Sequence, residues 1–368
     1  MHQVSKTKVL FIVNGLGLGN STRCSAIIHE LYGLGYEIDL VTSANGLNYF
    51  KTSDKIAELF SFRSLVYGKH NGKLSVVKTI LMFPWLFGFF ILNCITLRSI
   101  LSKNKYSAVI FDSDYSVISI KWQRQRPLLL AINNAEVIVS ECRKRSDLPR
   151  NIRMQYVIEK LDSWFHKRIP DFVICPVFDN VNLADQPKIK YTPPIIRQGL
   201  AIKTKKQTVN NILIMLSGSQ FGSDICFLNK LPQLKNIKIS IIGKNGTSNN
   251  QFSFYGKVYN NQNFINEADI LVINAGFSAI SEAIVLEKPV IVIPVENHAE
   301  QFINSHRAEQ SGFGLIATQE NADEKIMEML GNFEKYRAAR GSSRDEANGA
   351  EIAAAFISKT IESKKVSI

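Results

Sequence analysis

Apolar runs of four to six residues recur along the chain, and most are followed by stretches whose apolar positions return at helical spacing. Lys8–Val13 (KVLFIV) reads as a strand, and Arg23–Leu34 carries apolar residues on a helical period. Further strands are expected at Tyr36–Val41, Ala108–Phe111, Pro127–Ile132 and Phe172–Cys175. Residues 186–208 (QPKIKYTPPIIRQGLAIKTKKQT) are rich in Pro and Lys and lack a period, which marks a linker. The pattern then restarts with Asn211–Leu216, Ile237–Gly243, Ile270–Asn274 and Pro289–Pro294. Alternation of this kind implies mostly parallel sheets with helices on both faces. The expected fold class is therefore α/β, with two Rossmann-like domains at residues 1–185 and 209–344 and a last helix within 345–368.

One segment departs from this pattern. Thr79–Leu97 (TILMFPWLFGFFILNCITL) has no charged residue, and Lys78 and Arg98 flank it. At 19 residues it just reaches the length of a bilayer-spanning helix. Pro84, Gly88 and Asn93 interrupt it, and a true span would put strands of one sheet on opposite sides of a membrane. The expectation is a helix or helical hairpin that packs partly on the sheet and partly faces lipid; a wholly buried core helix is the alternative.

The formal net charge of +12, of which +8 falls in residues 1–185, favours anionic partners or simply solubility. Glu141–Arg168 holds eight basic and four acidic residues, which with segment 79–97 suggests a surface for an anionic bilayer. Aromatic residues are not interleaved with these bases as in a stacking platform, so nucleic acid is not an expected partner. The five scattered cysteines read as reduced core thiols, no metal-ligand spacing is present, and no signal peptide is expected ahead of the first strand.

Candidate chemistry begins at GLGLGNSTR, where Gly15, Gly17 and Gly19 separate the first strand from the first helix and Arg23 follows. Glycines let backbone approach a ligand or adopt positive φ, and a helix N-terminus offers N–H groups to an anion. A dinucleotide fingerprint needs a third glycine where Asn20 stands and an acidic end to the second strand, which instead reaches Thr42 and Ser43. No Lys follows the glycines, so the loop is not a Walker motif.

The second half repeats the strand–glycine–helix arrangement in NAGFSAISEAIVLEKPVIVIPVENHAEQFINSHRAEQSGFG, residues 274–314. Gly276, Glu282, Lys288-Pro289, Pro294, Gln301 and Asn304 in that order resemble the donor-binding region of GT-B glycosyltransferases, particularly family 28. That family includes the membrane-associated GlcNAc transferase of lipid II synthesis. Ser217-Gly-Ser-Gln220 and Tyr191-Thr-Pro-Pro-Ile-Ile-Arg197 resemble its second-domain opening loop and its inter-domain segment. The resemblance is specific over residues 211–314 and loose over 40–110.

The resemblance implies a GT-B fold, two Rossmann-like domains facing across a cleft, whose last helix crosses back to the first domain. It implies transfer of a sugar from a nucleotide diphosphate sugar, UDP-linked, to a lipid-linked or saccharide acceptor of the cell envelope. The enzyme would act as a peripheral protein on the cytoplasmic face of the membrane. No metal and no cofactor beyond the nucleotide-sugar co-substrate is implied. Gly276, Phe277, Ser278 and Ala279 would meet the diphosphate, Glu282 the ribose, and Gln301 and Asn304 the sugar hydroxyls, with Gly218, Ser219 and Gln220 closing from the other side. His298 is a candidate phosphate contact, and Ser278 a candidate N-cap.

Many relatives carry His where this chain has Asn20, and an amide is no general base at neutral pH. Asp114, at the end of a strand on the same rim, is the candidate base; a helix-capping role is the alternative. Otherwise positioning by Asn20 and Arg23 suffices without a strong base. A nucleotide-sugar hydrolase or epimerase, and a non-catalytic nucleotide-sugar binder, remain open.

Overall fold

The unbroken apolar runs become the inner strands of two parallel sheets. The computed structural model describes residues 6–66, 68–70, 73–74, 76–178, 186–200, 208–216, 225–338 and 348–366. The first domain opens with β1 (Lys8–Val13), α1 (Leu18–Gly33), β2 (Glu37–Thr42), α2 (Ala44–Phe50) and β3 (Glu58–Ser61). A hairpin, β4 (Lys69–His70) and β5 (Lys73–Leu74), leads into α3 (Val76–Leu81) and α4 (Phe83–Lys103). β6 (Ala108–Asp112), β7 (Leu128–Ile132), α5 (Ala135–Lys144), α6 (Arg150–Arg168), β8 (Phe172–Pro176) and β9 (Ile189–Thr192) follow. Their sheet is seven-stranded in the order β3-β2-β1-β6-β7-β8-β9, parallel throughout. Every residue of β6 and β7 is buried, as continuous apolar strands in a doubly covered sheet require.

The second domain contains β10 (Asn211–Met215), β11 (Lys238–Ile242), β12 (Phe252–Phe254), α7 (Gln262–Glu267), β13 (Ile270–Ile273) and α8 (Phe277–Val285). It continues through β14 (Val290–Val292), α9 (Ala299–Gln310), β15 (Gly314–Ile316), α10 (Ala322–Gly331) and α11 (Phe333–Ala338). Its six strands run β12-β11-β10-β13-β14-β15, again all parallel. The last helix, α12 (Gly349–Val366), returns to the first domain, where Ala353, Ala354, Ile357 and Ile361 pack with Ile27, Ile28 and Leu31 of α1. Two lengths of chain therefore cross between the domains side by side. Asn348 donates to the Ile196 carbonyl, and the Gly349 N–H donates to that of Pro194.

Two expectations change. The stretch 186–208 is not all linker, because β9 lies within it and pairs with β8 in parallel register. Cys226 is exposed, whereas Cys24, Cys94, Cys142 and Cys175 are buried thiols. The apolar segment breaks into α3 and α4 around Met82, with Pro84 in the first turn of α4 where its missing N–H costs nothing. α4 is long and apolar enough to cross a membrane. Its Leu97 and Ile100 are buried against the sheet, while Phe83, Trp85, Phe87, Ile91 and Leu92 are exposed, so it is not a buried core helix. Asn93, the polar residue in that run, is buried and bonds both the N–H and the carbonyl of Arg63 at 2.9 Å.

Candidate active site

The loops after β1 and β13 face each other and, with the ends of other strands, enclose a cleft of about 310 Å³. From the first domain Gly17, Gly19, Asn20, Arg23 and Asn134 reach its wall; from the second Gly276, Phe277, Ser278, Ala279, Glu282, Glu300 and Gln301 do. The domains touch on both flanks. Lys257 Nζ donates to Asn45 Oδ1 at 2.7 Å, and α6 packs on α9 through Ile152 and Ile303.

In the first loop close approach, not positive φ, explains Gly15. Gly17 is the N-cap of α1 with φ −107°. A Cβ on Gly15 would lie 1.8 Å from the Ser43 carbonyl oxygen, and the Gly15 carbonyl accepts from the Asn45 N–H at 3.0 Å. Gly15 thus seats the loop on α2 and stands off the cleft. Gly19 faces the second domain, where its carbonyl accepts from Ser278 Oγ at 2.9 Å. Ser278 is therefore a bridge across the cleft rather than an N-cap; Gly276 occupies that position.

Arg23 lines the cleft but is committed to Asp112, with Nε–Oδ2 at 3.0 Å and Nη2–Oδ1 at 2.8 Å. Burial opposes its charge, and the Asp112 carboxylate more than offsets this, so the guanidinium stays ionised. Its Nη2 also donates to Asn20 Oδ1 at 3.4 Å, which orients the amide. Ser113, next on the rim, holds φ +54°, a costly conformation of the kind that clusters at functional sites.

On the opposite wall α8 points its N-terminus at the cleft. Its first N–H groups have no partner within the helix, and the dipole adds partial positive charge. A Cβ on Gly276 would meet nothing within 4 Å, so a ligand can approach that backbone closely. Two turns in, Glu282 is buried, and Arg197 grips both its oxygens at 2.9 and 3.1 Å. Burial raises the Glu282 pKa above the usual carboxylate value, and Arg197 works against the rise. Arg197 is held in turn by Asn261 Oδ1. A carboxylate has about four acceptor directions, so some remain for a ligand.

Other expected residues are distributed unevenly. Gln301 faces the cleft, and its Oε1 accepts from the Val295 N–H at 2.9 Å, fixing the approach loop. Asn304 does not reach the wall; it is fully buried and donates to the Ala275 carbonyl at 3.2 Å, bracing the glycine turn from behind. His298 is also off the wall, as the N-cap of α9, and burial pushes its imidazole below the ordinary value. Asp114 stands outside the cleft too. Its Oδ1 accepts from the N–H of Ser116 at 2.9 Å and from the Ser116 hydroxyl, capping the turn Ser116–Ser119, so the structure favours the capping role over that of base. Gly218, Ser219 and Gln220 lie outside the described residues.

The sequence alone assigns no role to several lining residues, among them Arg197, Glu300 and Asn134. Arg197 is 85 residues from the carboxylate it pairs with. Glu300 adjoins Gln301 and accepts from Asn304 Nδ2 at 3.4 Å, so the Glu-Gln pair at the start of α9 was the available signal. Asn134 follows β7, and its Nδ2 is enclosed without a protein acceptor.

Two parallel α/β domains, a cleft at the strand ends and a final helix crossing back define the GT-B glycosyltransferase class. Comparisons with known proteins give the family. A sequence profile described as glycosyl transferase family 1 matches residues 7–333, and the chain belongs to that family as a glycosyltransferase. It is 21% identical over 375 residues to a UDP-N-acetylglucosamine–N-acetylmuramyl-(pentapeptide) pyrophosphoryl-undecaprenol N-acetylglucosamine transferase of Pelagibacter ubique, covering 92% of this chain and 94% of that one. It is 24% identical over 352 residues to an uncharacterized glycosyltransferase of Methanosarcina acetivorans, covering 88% and 89%. Among solved structures, the kitacinnamycin glycotransferase superposes with a TM-score of 0.64 at 14% identity, covering 96% of this chain and 98% of that one. Acinetobacter baumannii MurG superposes at 0.60 and 14%, covering 96% and 99%. At these identities the solved structures speak for the fold alone.

Proposed function

We propose that this glycosyltransferase moves a hexosyl or N-acetylhexosaminyl group from a UDP-linked donor to a lipid-linked envelope acceptor at the cytoplasmic membrane surface. The observation that carries the reading is Glu282, a buried carboxylate set by Arg197 with acceptor directions unspent, behind the open N-terminus of α8. A nucleoside diphosphate needs both features, N–H donors for phosphate and a fixed acceptor for the ribose hydroxyls. Ile242, Gly243 and Val258 then flank the base, and Glu300 and Gln301 meet the sugar. Relatives such as the Pelagibacter ubique transferase, whose name states both a UDP-sugar and an undecaprenol-linked acceptor, support this donor and acceptor class. The exposed apolar face of α4 supports work at a lipid surface. Asn20, steered by Arg23, positions the acceptor, and stabilisation of the leaving diphosphate by α8 carries the rate.

Calorimetric titration with UDP, GDP and TDP tests the donor. UDP should bind in the micromolar range and at least about tenfold more tightly than the other two. Equal affinity for all three would remove the UDP assignment, and no binding to any would remove the donor site.

A further inference from the structure

α6 presents three faces, and only two are covered. Phe165 and His166 pack under the sheet beside Phe111 and Tyr115. Ile152 and Tyr156 pack with Ala299, Phe302 and Ile303 of α9. The third face holds Met154, Val157, Ile158, Leu161 and Trp164, all exposed, with Leu161 at 63% and Trp164 at 57%. Their spacing makes one stripe about 15 Å long. Both acids of α6 are turned from it. Asp162 accepts from Tyr115 Oη at 2.7 Å and from Asn133 Nδ2 at 3.1 Å, and half-buried Glu159 stands near Glu300 of α9. The exposed residues beside the stripe are Asn151 and four bases, Arg150, Arg153, Lys160 and Arg168.

The stripe belongs to a helix on the same side of the sheet as α4. Leu97 and Ile100 of α4, Val117 and Ile120 of the intervening turn, and Phe165 of α6 share one cluster on the same side of the sheet. That turn is bonded to α4, with Arg98 Nη2 donating to the Ser119 carbonyl at 2.9 Å, and packed on α6, where the Tyr115 and Phe165 rings meet edge to face with centroids 5.0 Å apart. Trp122, 76% exposed, follows it. The chain has three tryptophans, Trp85, Trp122 and Trp164, one on α4, one after the turn and one on α6, and all are exposed. Tryptophan favours the headgroup level of a bilayer, and a basic rim without exposed acid on the helix complements anionic lipid.

We propose that α6 is a second membrane-binding helix, docking on an anionic bilayer through Met154, Val157, Ile158, Leu161 and Trp164 beside α4. The proposal rests on the membrane-surface reading given above and adds to it. A single interfacial helix leaves the domain free to roll about that helix; two fix its attitude. Because α6 also carries α9, with Gln155 Oε1 accepting from the Ala299 N–H, the fixed element reaches the helix that bears Glu300 and Gln301.

The test uses the full chain and vesicles of phosphatidylcholine with phosphatidylglycerol. In a variant with Trp85→Phe and Trp122→Phe, Trp164 is the sole tryptophan. Its emission should shift to the blue on vesicle binding and be quenched by brominated acyl chains. Leu161→Ser with Met154→Ser should weaken vesicle binding by about tenfold or more, leaving Tm and UDP affinity unchanged. If Trp164 stays unquenched and the stripe variant binds like wild type while Phe83→Ser does not bind, α6 is no membrane helix although the surface reading stands. If the wild type binds no vesicles, both fail. If light scattering shows a dimer that Leu161→Ser dissolves, with Trp164 unquenched, a second copy covers the stripe and the proposal is overturned.

Discussion

Glu282→Gln keeps the shape of the side chain and removes its charge. Arg197 Nη2 donates to one carboxylate oxygen and Nε forms an ion pair with the other, which leaves acceptor directions for the ribose hydroxyls. A hydrogen bond to a charged group contributes about 1.5–3 kcal/mol and a neutral one about 0.5–1.5 kcal/mol. Losing the charge at two such bonds therefore costs about 2 kcal/mol, or roughly 30-fold in Kd. Calorimetry with UDP and with 2′,3′-dideoxy-UDP, on wild type and variant, closes a cycle that isolates the ribose contact. The wild type should lose affinity for the dideoxy compound, and the variant should lose little more. The variant also strands the buried Arg197 guanidinium, so its Tm should fall, and the titrations belong well below the lower Tm. A variant that binds UDP within about twofold of wild type refutes the ribose assignment. So does a variant that loses the same factor for both ligands, because the loss would then be structural.

The two glycine loops separate fold from function. Gly15→Ala places a methyl 1.8 Å from the Ser43 carbonyl oxygen and should cost about 3 kcal/mol of stability in a denaturant melt. Gly276→Ala, at φ −71° with open space around it, should keep its Tm yet weaken UDP binding, because the methyl stands in the cleft. Glu159 supplies a pH dependence: burial first, then Glu300 and Asp162, push its carboxyl up to about 8. The folded chain then keeps a proton that the unfolded chain loses near pH 4.3, so this contribution is full below about pH 4.3 and is lost as pH rises toward 8. Glu159→Gln should flatten the urea midpoint across that window, and an unchanged slope would exclude Glu159 as its source.

The inner strands were legible because burial on both faces turns them into unbroken apolar runs, as in β7 (LLLAI) and β13 (ILVI). The edge strands were not. β9 (IKYT) and β3 (ELFS) pair on one side only, keep charged or polar residues, and look like loops. In the sequence α6 reads as a basic surface because its bases outnumber its acids, and the apolar stripe between them emerges only once the sheet-facing residues are known. In the site, Gly276 and Glu282 were legible because one strand–turn–helix carries both. The Arg197 partner was not, since a pairing across 85 residues leaves no period. Asp114 shows the opposite limit. A strand-end Asp two residues before Ser has the same spelling whether it caps a turn or faces a substrate, and only the bonds to Ser116 separate the two.

The distribution of charge across the cleft bears on how transfer proceeds. On the described first-domain wall, Thr22, Asn20, Asn45, Ser113 and Asn134 are uncharged, and Arg23 is neutralised by Asp112. The carboxylates on the described wall, Glu282 and Glu300, both belong to the second domain, and the charge of Glu282 is balanced by Arg197. An acceptor held against the first domain would thus meet amides and hydroxyls, while in the proposed donor site the departing diphosphate would meet the start of α8. Such an arrangement stabilises the leaving group more than it activates the nucleophile. Where relatives place histidine, Asn20 gives up a proton-accepting group and, through its contact with Arg23, keeps its orientation. If the acceptor is itself an oxyanion, as the phosphate of a lipid would be, that orientation is all the wall must supply.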